Sequence, residues 1–214
     1  MKKMLIFDFF AGTGSSTQAF EDAGHRVIKF ELDPQFDATE TVDIMLLDAE
    51  SLIQRYGVPD FVWASPPCTA FSVAAIGHHW TGGKGAYIPK TEAAEFNQLL
   101  VWKVRELIGG LNPSLGFLIE NPRGLLRKLP PVQGLDRRTV TYCQYGDDRM
   151  KPTDLWGEVP GWVPRPVCRN GEPCHEAAPR GAKTGTQGRS GSVTRSIVPY
   201  GLGAEILDAL GVPE

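Results

Sequence analysis

The stretch that most restricts the fold is "MLIFDFFAGTGSST" followed by "QAFEDAGHRVIKFELD", residues 4–33. An apolar run of aromatic and branched residues reads as a buried strand, and it leads straight into two closely spaced glycines. Helical spacing follows and is closed by Gly24, after which a second apolar run ends in Glu31 and Asp33. Strand, glycine turn, helix, strand, acid is the order of a doubly wound nucleotide-binding unit, so the expected fold is α/β with a mostly parallel sheet. Gly12 and Gly14 fall where a strand must turn sharply into a helix and let backbone approach a ligand. Many unliganded turns look the same. Glu31, about 20 residues further on, stands where a carboxylate accepts hydrogen bonds from both ribose hydroxyls.

The pattern continues along the chain. "DIMLLDAE" reads as a weaker third strand ending at Asp48, which is placed to hold an adenine amino group, and "DFVWASPP" reads as a fourth. Residues 91–111 form the clearest helix, "LGFLIENP" a fifth strand stopped by Pro122, and "RRTVTYCQYG" a sixth. No Gly-Lys-Ser/Thr phosphate loop is present, so a nucleoside cofactor without a triphosphate fits, and S-adenosylmethionine is one.

Beyond Trp156 glycine and proline become too frequent for a helix or a central strand, up to Gly191. Regular structure is expected again in "RSIVPYGLGAEILDALG", as a strand end and a short helix. A length of 214 residues suits one domain with a small appendage. The expected division is 1–156 for cofactor and catalysis, 157–194 for a loop-rich recognition segment, and 195–214 returning to the first unit.

Charge is uneven. Residues 165–195 hold six basic residues against two acids, a net +4 in a chain of net −3, so the remainder carries −7. That asymmetry points to a local anionic partner reached through Arg180, Lys183 and Arg189. No run approaches a membrane span, no secretory leader is evident, and four cysteines do not make a disulfide framework; a cytoplasmic protein is expected. Cys168, Cys174 and His175 are three zinc-type ligands within eight residues, but no fourth is evident because Cys143 belongs to another element, so no metal is assigned.

"FVWASPPCTAFS" places Cys68 just past the fourth strand, at the edge where open α/β sheets bind ligands. An isolated cysteine is more often buried and inert. Glu120, in "ENP", alters that balance, because two neighbouring strand ends then present a thiol and a carboxyl to one crevice. A thiolate adds to an electron-poor ring carbon while an acid protonates a ring nitrogen, so the pair suits covalent catalysis. The amides of residues 69–72 are placed to stabilise such a thiolate.

Taken in order, "DFFAGTGSST", "FELD", "SPPCTAFS", "FLIENPRG" and "RSIVPYGLGAEIL" resemble the cofactor, ribose, nucleophile, glutamate and closing motifs of the DNA cytosine-5 methyltransferases, in particular short phage-type members. The resemblance implies a Rossmann-like methyltransferase fold, S-adenosylmethionine as cofactor and double-stranded DNA as partner, with no membrane and no obligate protein partner. It implies that Cys68 attacks C6 of a flipped cytosine and that Glu120 contacts N3 and the exocyclic amine. Phe10, Ala11, Gly12, Thr13, Gly14, Glu31, Leu32, Pro66 and Ser196 then meet the cofactor, while Ser72, His78 and His79, with Trp80, lie on a mobile loop facing DNA.

Two departures matter. Where the family has Gln followed by two spaced arginines, Lys151 and Thr153 stand, which leaves Arg149 or Lys151 to contact the cytosine O2. In the closing motif Arg195 and Ser196 replace Gly-Asn, and an arginine there suits a carboxylate, including that of a carboxylated S-adenosylmethionine analogue. The competing readings are an amino-methyltransferase on adenine N6 or cytosine N4, which "SPPC" matches except at its last residue, and a non-catalytic DNA-binding relative.

Overall fold

A computed structural model describes residues 3–83, 86–177 and 191–211. In chain order the first elements are β1 (Leu5–Phe9), α1 (Gln18–Asp22), β2 (Arg26–Glu31), β3 (Glu40–Thr41), α2 (Ala49–Tyr56) and β4 (Phe61–Ala64). Next come α3 (Ile76–His79), β5 (Trp80–Gly83), β6 (Ala86–Pro89), α4 (Glu92–Leu111) and β7 (Phe117–Pro122). The last are β8 (Arg137–Thr141), β9 (Pro152–Glu158), α5 (Ser192–Ser196) and α6 (Tyr200–Leu210). None of the described helices is long and apolar enough to cross a membrane.

Seven strands form one sheet in the order β3-β2-β1-β4-β7-β9-β8. The pairs from β3 to β7 are parallel, whereas β9 runs antiparallel to both β7 and β8. β1 and β4 are buried nearly throughout, as parallel strands covered on both faces must be, which explains their unbroken apolar sequence. On one face Phe7, Phe9 and Phe30 pack with Val104 and Leu107 of α4 and Leu52 of α2. On the other, Ile6, Phe61 and Trp63 pack with Phe20 of α1 and with Leu202 and Ile206 of α6. Register then sets the site. Phe9 pairs with Phe30 and with Ala64, and Ala64 with Ile119, so the chain leaves β1, β2, β4 and β7 along a single edge.

Three elements differ from what the sequence suggests. The run "DIMLLDAE" is not a strand: Ile44–Leu46 form a 3-10 turn, Asp48 becomes the N-cap of α2, and the third strand is only Glu40–Thr41. The sheet also continues to Glu158, two residues past the expected boundary, because β9 inserts between β7 and β8. Among the described residues, 195–199 form no strand ahead of the C-terminal helix. The carbonyls of Thr194, Arg195 and Ile197 instead accept hydrogen bonds from Arg149, and that of Arg195 also from Lys151, so they are taken up without a neighbouring strand.

Candidate active site

The turn after β1 is held open by local conformation. Phe10 has φ +60, a left-handed value that costs a non-glycine residue about 1–3 kcal/mol and is kept where surroundings demand it. Gly12 has φ +50, and a Cβ built there would meet nothing within 4 Å, so its backbone lies open to the adjoining space. Its N–H donates to Glu31 Oε2 at 2.9 Å, while the N–H groups of Leu32 and Asp33 donate to Glu31 Oε1 at 2.8 and 3.1 Å. Three amides therefore aim one carboxylate at the mouth of the glycine turn. Beneath it Asp8 is fully buried, and burial pushes its carboxyl up to about 7 even though the Ser16 and Thr17 hydroxyls donate to Oδ2 at 2.7 Å.

This turn lines a cleft of about 310 Å³ that Cys68 and Glu120 also line. Phe10, Ala11, Gly12, Thr13, Glu31, Pro66 and Ser196 line it, and so does Arg195. The fit to an adenosine cofactor rests on the open face of Gly12, the fixed carboxylate of Glu31 and an aromatic side chain, Phe36, on the lining. Gly14, Leu32 and Asp48 are not on the lining. Gly14 closes the turn by donating to the Ala11 carbonyl at 2.8 Å, Leu32 is 63% exposed, and Asp48 Oδ1 accepts from the Ser51 N–H at 2.8 Å as a helix cap.

Around Cys68 and Glu120, Asn121 joins the two strand ends, its buried Nδ2 donating to the Pro66 carbonyl at 2.8 Å. Asn97 of α4 donates to Thr69 Oγ1 at 3.1 Å, and the N–H of Leu125 donates to the Phe71 carbonyl at 2.8 Å. That last approach needs Gly124, since a Cβ there would meet the Phe71 oxygen at 2.3 Å. Cys68 is half-buried, and its thiol is pushed up, first by burial and then by the Glu120 carboxylate, against the opposing pull of Lys151 and Arg195. The amides of residues 71 and 72 point to the Cys68 carbonyl, so they do not hold a thiolate. Glu120 is 5% exposed and its Oε1 accepts a 2.8 Å hydrogen bond from Tyr142, a residue with no signal in the sequence beyond its place in an apolar run. Burial, then Glu120, raises the Tyr142 phenol well above its ordinary value.

Of the two residues weighed for the cytosine O2 contact, Lys151 lines the cleft and Arg149 does not. Lys151 Nζ sits over the Tyr142 ring at 4.5 Å and donates to the Arg195 carbonyl at 2.8 Å, and burial lowers its ammonium from the usual range. Arg149, 2% exposed, is occupied by Asp147 and by carbonyls of the 194–197 stretch. Among the described residues, the stretch after Cys68 includes α3 and the antiparallel pair β5 and β6. Trp80 is buried, with Nε1 donating to the Ala70 carbonyl at 2.7 Å, so it anchors the loop from beneath. His78 is exposed, and His79 contacts Thr91 Oγ1 at 2.7 Å, while Ser72 is half-buried at the start of the loop. Arg180, Lys183 and Arg189 lie outside the described residues.

The separation of Cys143 from the other thiols in sequence does not hold in space. Cys143, on the 3-10 turn Tyr142–Tyr145, lies with Cys168, Cys174 and His175 so that all four ligand atoms fall within 4.8 Å of one another.

Residues 4–129 match a family model described as C-5 cytosine-specific DNA methylase. A probable DNA (cytosine-5)-methyltransferase of Frog virus 3 (isolate Goorha) is 29% identical over 220 residues, covering 96% of this chain and 99% of the viral protein. Among solved structures, the Entamoeba histolytica methyltransferase EhMeth aligns with a TM-score of 0.52 at 12% identity, over 73% of this chain and 53% of that one. The S. pombe Dnmt2 methyltransferase aligns with a TM-score of 0.46 at 13% identity, over 76% and 51%. The chain thus spans about half the length of these two solved structures, and the first of them shares its fold.

Proposed function

Because the chain belongs to the C-5 cytosine-specific DNA methylase family, and so to the class of DNA (cytosine-5-)-methyltransferases, we propose that it methylates C5 of a cytosine turned out of double-stranded DNA, using S-adenosylmethionine. The observation that carries this reading is one cleft lined both by Cys68 and Glu120 and by the Gly12–Glu31 cradle. When bound, S-adenosylmethionine supplies an electrophilic methyl group. Cys68 passes its proton to the Glu120 carboxylate as its sulfur bonds to C6, and Glu120, now carrying that proton, donates it to N3 and accepts from the exocyclic amine. C5 thereby gains electron density and takes the methyl group. A base then removes the C5 proton, the C5–C6 double bond re-forms, and the sulfur departs. Lys151 replaces the missing arginine at the cytosine O2, as the one cationic side chain of that pair on the lining.

DNA is met by the loop carrying Ser72, His78 and His79 and by the basic residues Arg180, Lys183 and Arg189, in a reducing cytoplasm. A second reading keeps the mechanism and changes the donor, since Arg195 lines the cleft beside Lys151 and suits a carboxylated S-adenosylmethionine analogue. The test is DNA carrying 5-fluorocytosine, whose fluorine cannot leave C5 as a proton does, incubated with either donor. A covalent complex mapped to Cys68, and 5-substituted cytosine in ordinary DNA whose mass identifies the group transferred, are expected. Methylation by Cys68→Ser, or N6-methyladenine or N4-methylcytosine as product, would end the covalent reading.

A further inference from the structure

The cleft does not account for the cluster of Cys143, Cys168, Cys174 and His175 on the far side of the turn after β8. Cys168 Sγ lies 3.2 Å from Cys174 Sγ, and His175 Nδ1 lies 3.5 Å from each of them. Cys143 completes the group from below, 8% exposed, and none of the thiols is in a disulfide. A tetrahedral zinc ion with sulfur at about 2.3 Å and nitrogen at about 2.0 Å requires ligand–ligand edges of about 3.5–3.8 Å. The observed set needs about 0.6 Å of expansion between the two loop thiols and an approach of up to about 1 Å by the fourth ligand.

The surrounding contacts suit thiolates. Gln144 Nε2 points at Cys174 Sγ from 3.5 Å, a donor of the kind that accompanies a metal-bound sulfur, and the N–H of Cys168 is anchored on Thr141 Oγ1 at 2.9 Å. One contact must yield. With metal on Nδ1 the His175 Nε2 carries the proton, so it can no longer accept from the Gly171 N–H that lies 3.2 Å away. Gly171 is an exposed turn glycine with φ +96, and its peptide is free to tilt.

The chain also needs a fastening there. After Trp162, no residue in 163–177 is buried, so this irregular stretch contributes nothing to either apolar core. Segments without a core of their own are stabilised by cross-links or metals. We propose that Cys143, Cys168, Cys174 and His175 form a structural zinc site that fastens residues 163–177 to the turn bearing Tyr142, the partner of Glu120. The ion sits outside the cleft, so the inference does not depend on the methyl-transfer reading, and it is tested without any activity.

The experiment is elemental analysis of the full chain, purified reduced from cells supplied with zinc. One zinc per chain is expected. Cys174→Ser, at an exposed position, and Cys143→Ala should each bring it to background, whereas Cys68→Ser should retain it. Cobalt in place of zinc should give the thiolate charge-transfer and tetrahedral d–d absorption of a Cys₃His site. Folded protein without metal, unchanged zinc in both ligand variants, or a Cys168–Cys174 disulfide in protein prepared anaerobically would overturn the proposal. Cys174→Ser keeps the test open if Cys143→Ala does not fold.

Discussion

The cleft draws its residues from two halves of the molecule that hold them in different ways. Up to Pro122, the functional side chains stand at or just beyond the carboxyl ends of parallel strands, placed by the register of β1, β2, β4 and β7. Beyond β8 they are placed by single side chains reaching across 44 to 48 positions, Arg149 to Thr194, Arg195 and Ile197, and Lys151 to Arg195. A ladder of backbone hydrogen bonds survives the loss of any one side chain. A guanidinium holding three carbonyls does not have that redundancy.

Arg149→Met breaks the comparison most directly. The side chain is 2% exposed and serves Asp147 as well as the three carbonyls, so its loss removes an ion pair and three hydrogen bonds at once. We expect about 3–5 kcal/mol of destabilisation in urea unfolding, the range for breaking a buried ion pair. Stability near wild type would mean that α5 and α6 are held by apolar packing alone.

Glu31→Ala makes the opposite case. Its three amide donors lie on the partly exposed edge where water can replace the carboxylate, so global stability should change little. Affinity for S-adenosylmethionine should fall by about 1–3 kcal/mol through lost charge-assisted hydrogen bonds. Calorimetric binding at the wild-type level would place the ribose elsewhere in the cleft.

The same contrast decides what the sequence reveals. Gly12, Glu31, Cys68 and Glu120 are legible because each sits at a strand end, next to a turn residue whose backbone chemistry marks the place. Asp48 misleads because "DIMLLDAE" has the composition of a strand while its aspartate caps a helix, a choice decided by packing against α4. β9 leaves almost no trace, since it begins at Pro152 and includes buried Thr153 and Asp154, the latter gripped by Arg127 and Thr139. Tyr142 and Cys143 are legible only as part of a strand-like run, with nothing to mark their partners. Their partners are 22 or more positions away, and only the folded turn brings them together.

The smallest expected effect is the sharpest test, because Cys68 is the point at which the halves meet. Burial and Glu120, from the first half, raise its thiol, and Lys151 and Arg195, from the second, lower it. A raised thiol stays protonated to a higher pH than a free cysteine does, so alkylation of Cys68 by iodoacetamide, followed by mass spectrometry, should show a midpoint above the ordinary thiol value. Glu120→Gln removes a negative charge that opposes the thiolate, and the midpoint should move down. Lys151→Met removes a positive charge that favours it, and the midpoint should move up. Opposite shifts would show that the two halves act on one sulfur. If Lys151→Met left the midpoint in place, the ammonium would be too well screened to reach the sulfur, and its part would narrow to holding the Arg195 carbonyl. In either case the resting thiol is mostly protonated at neutral pH. Adduct formation with DNA should therefore accelerate as pH rises toward the thiol midpoint, until other groups titrate.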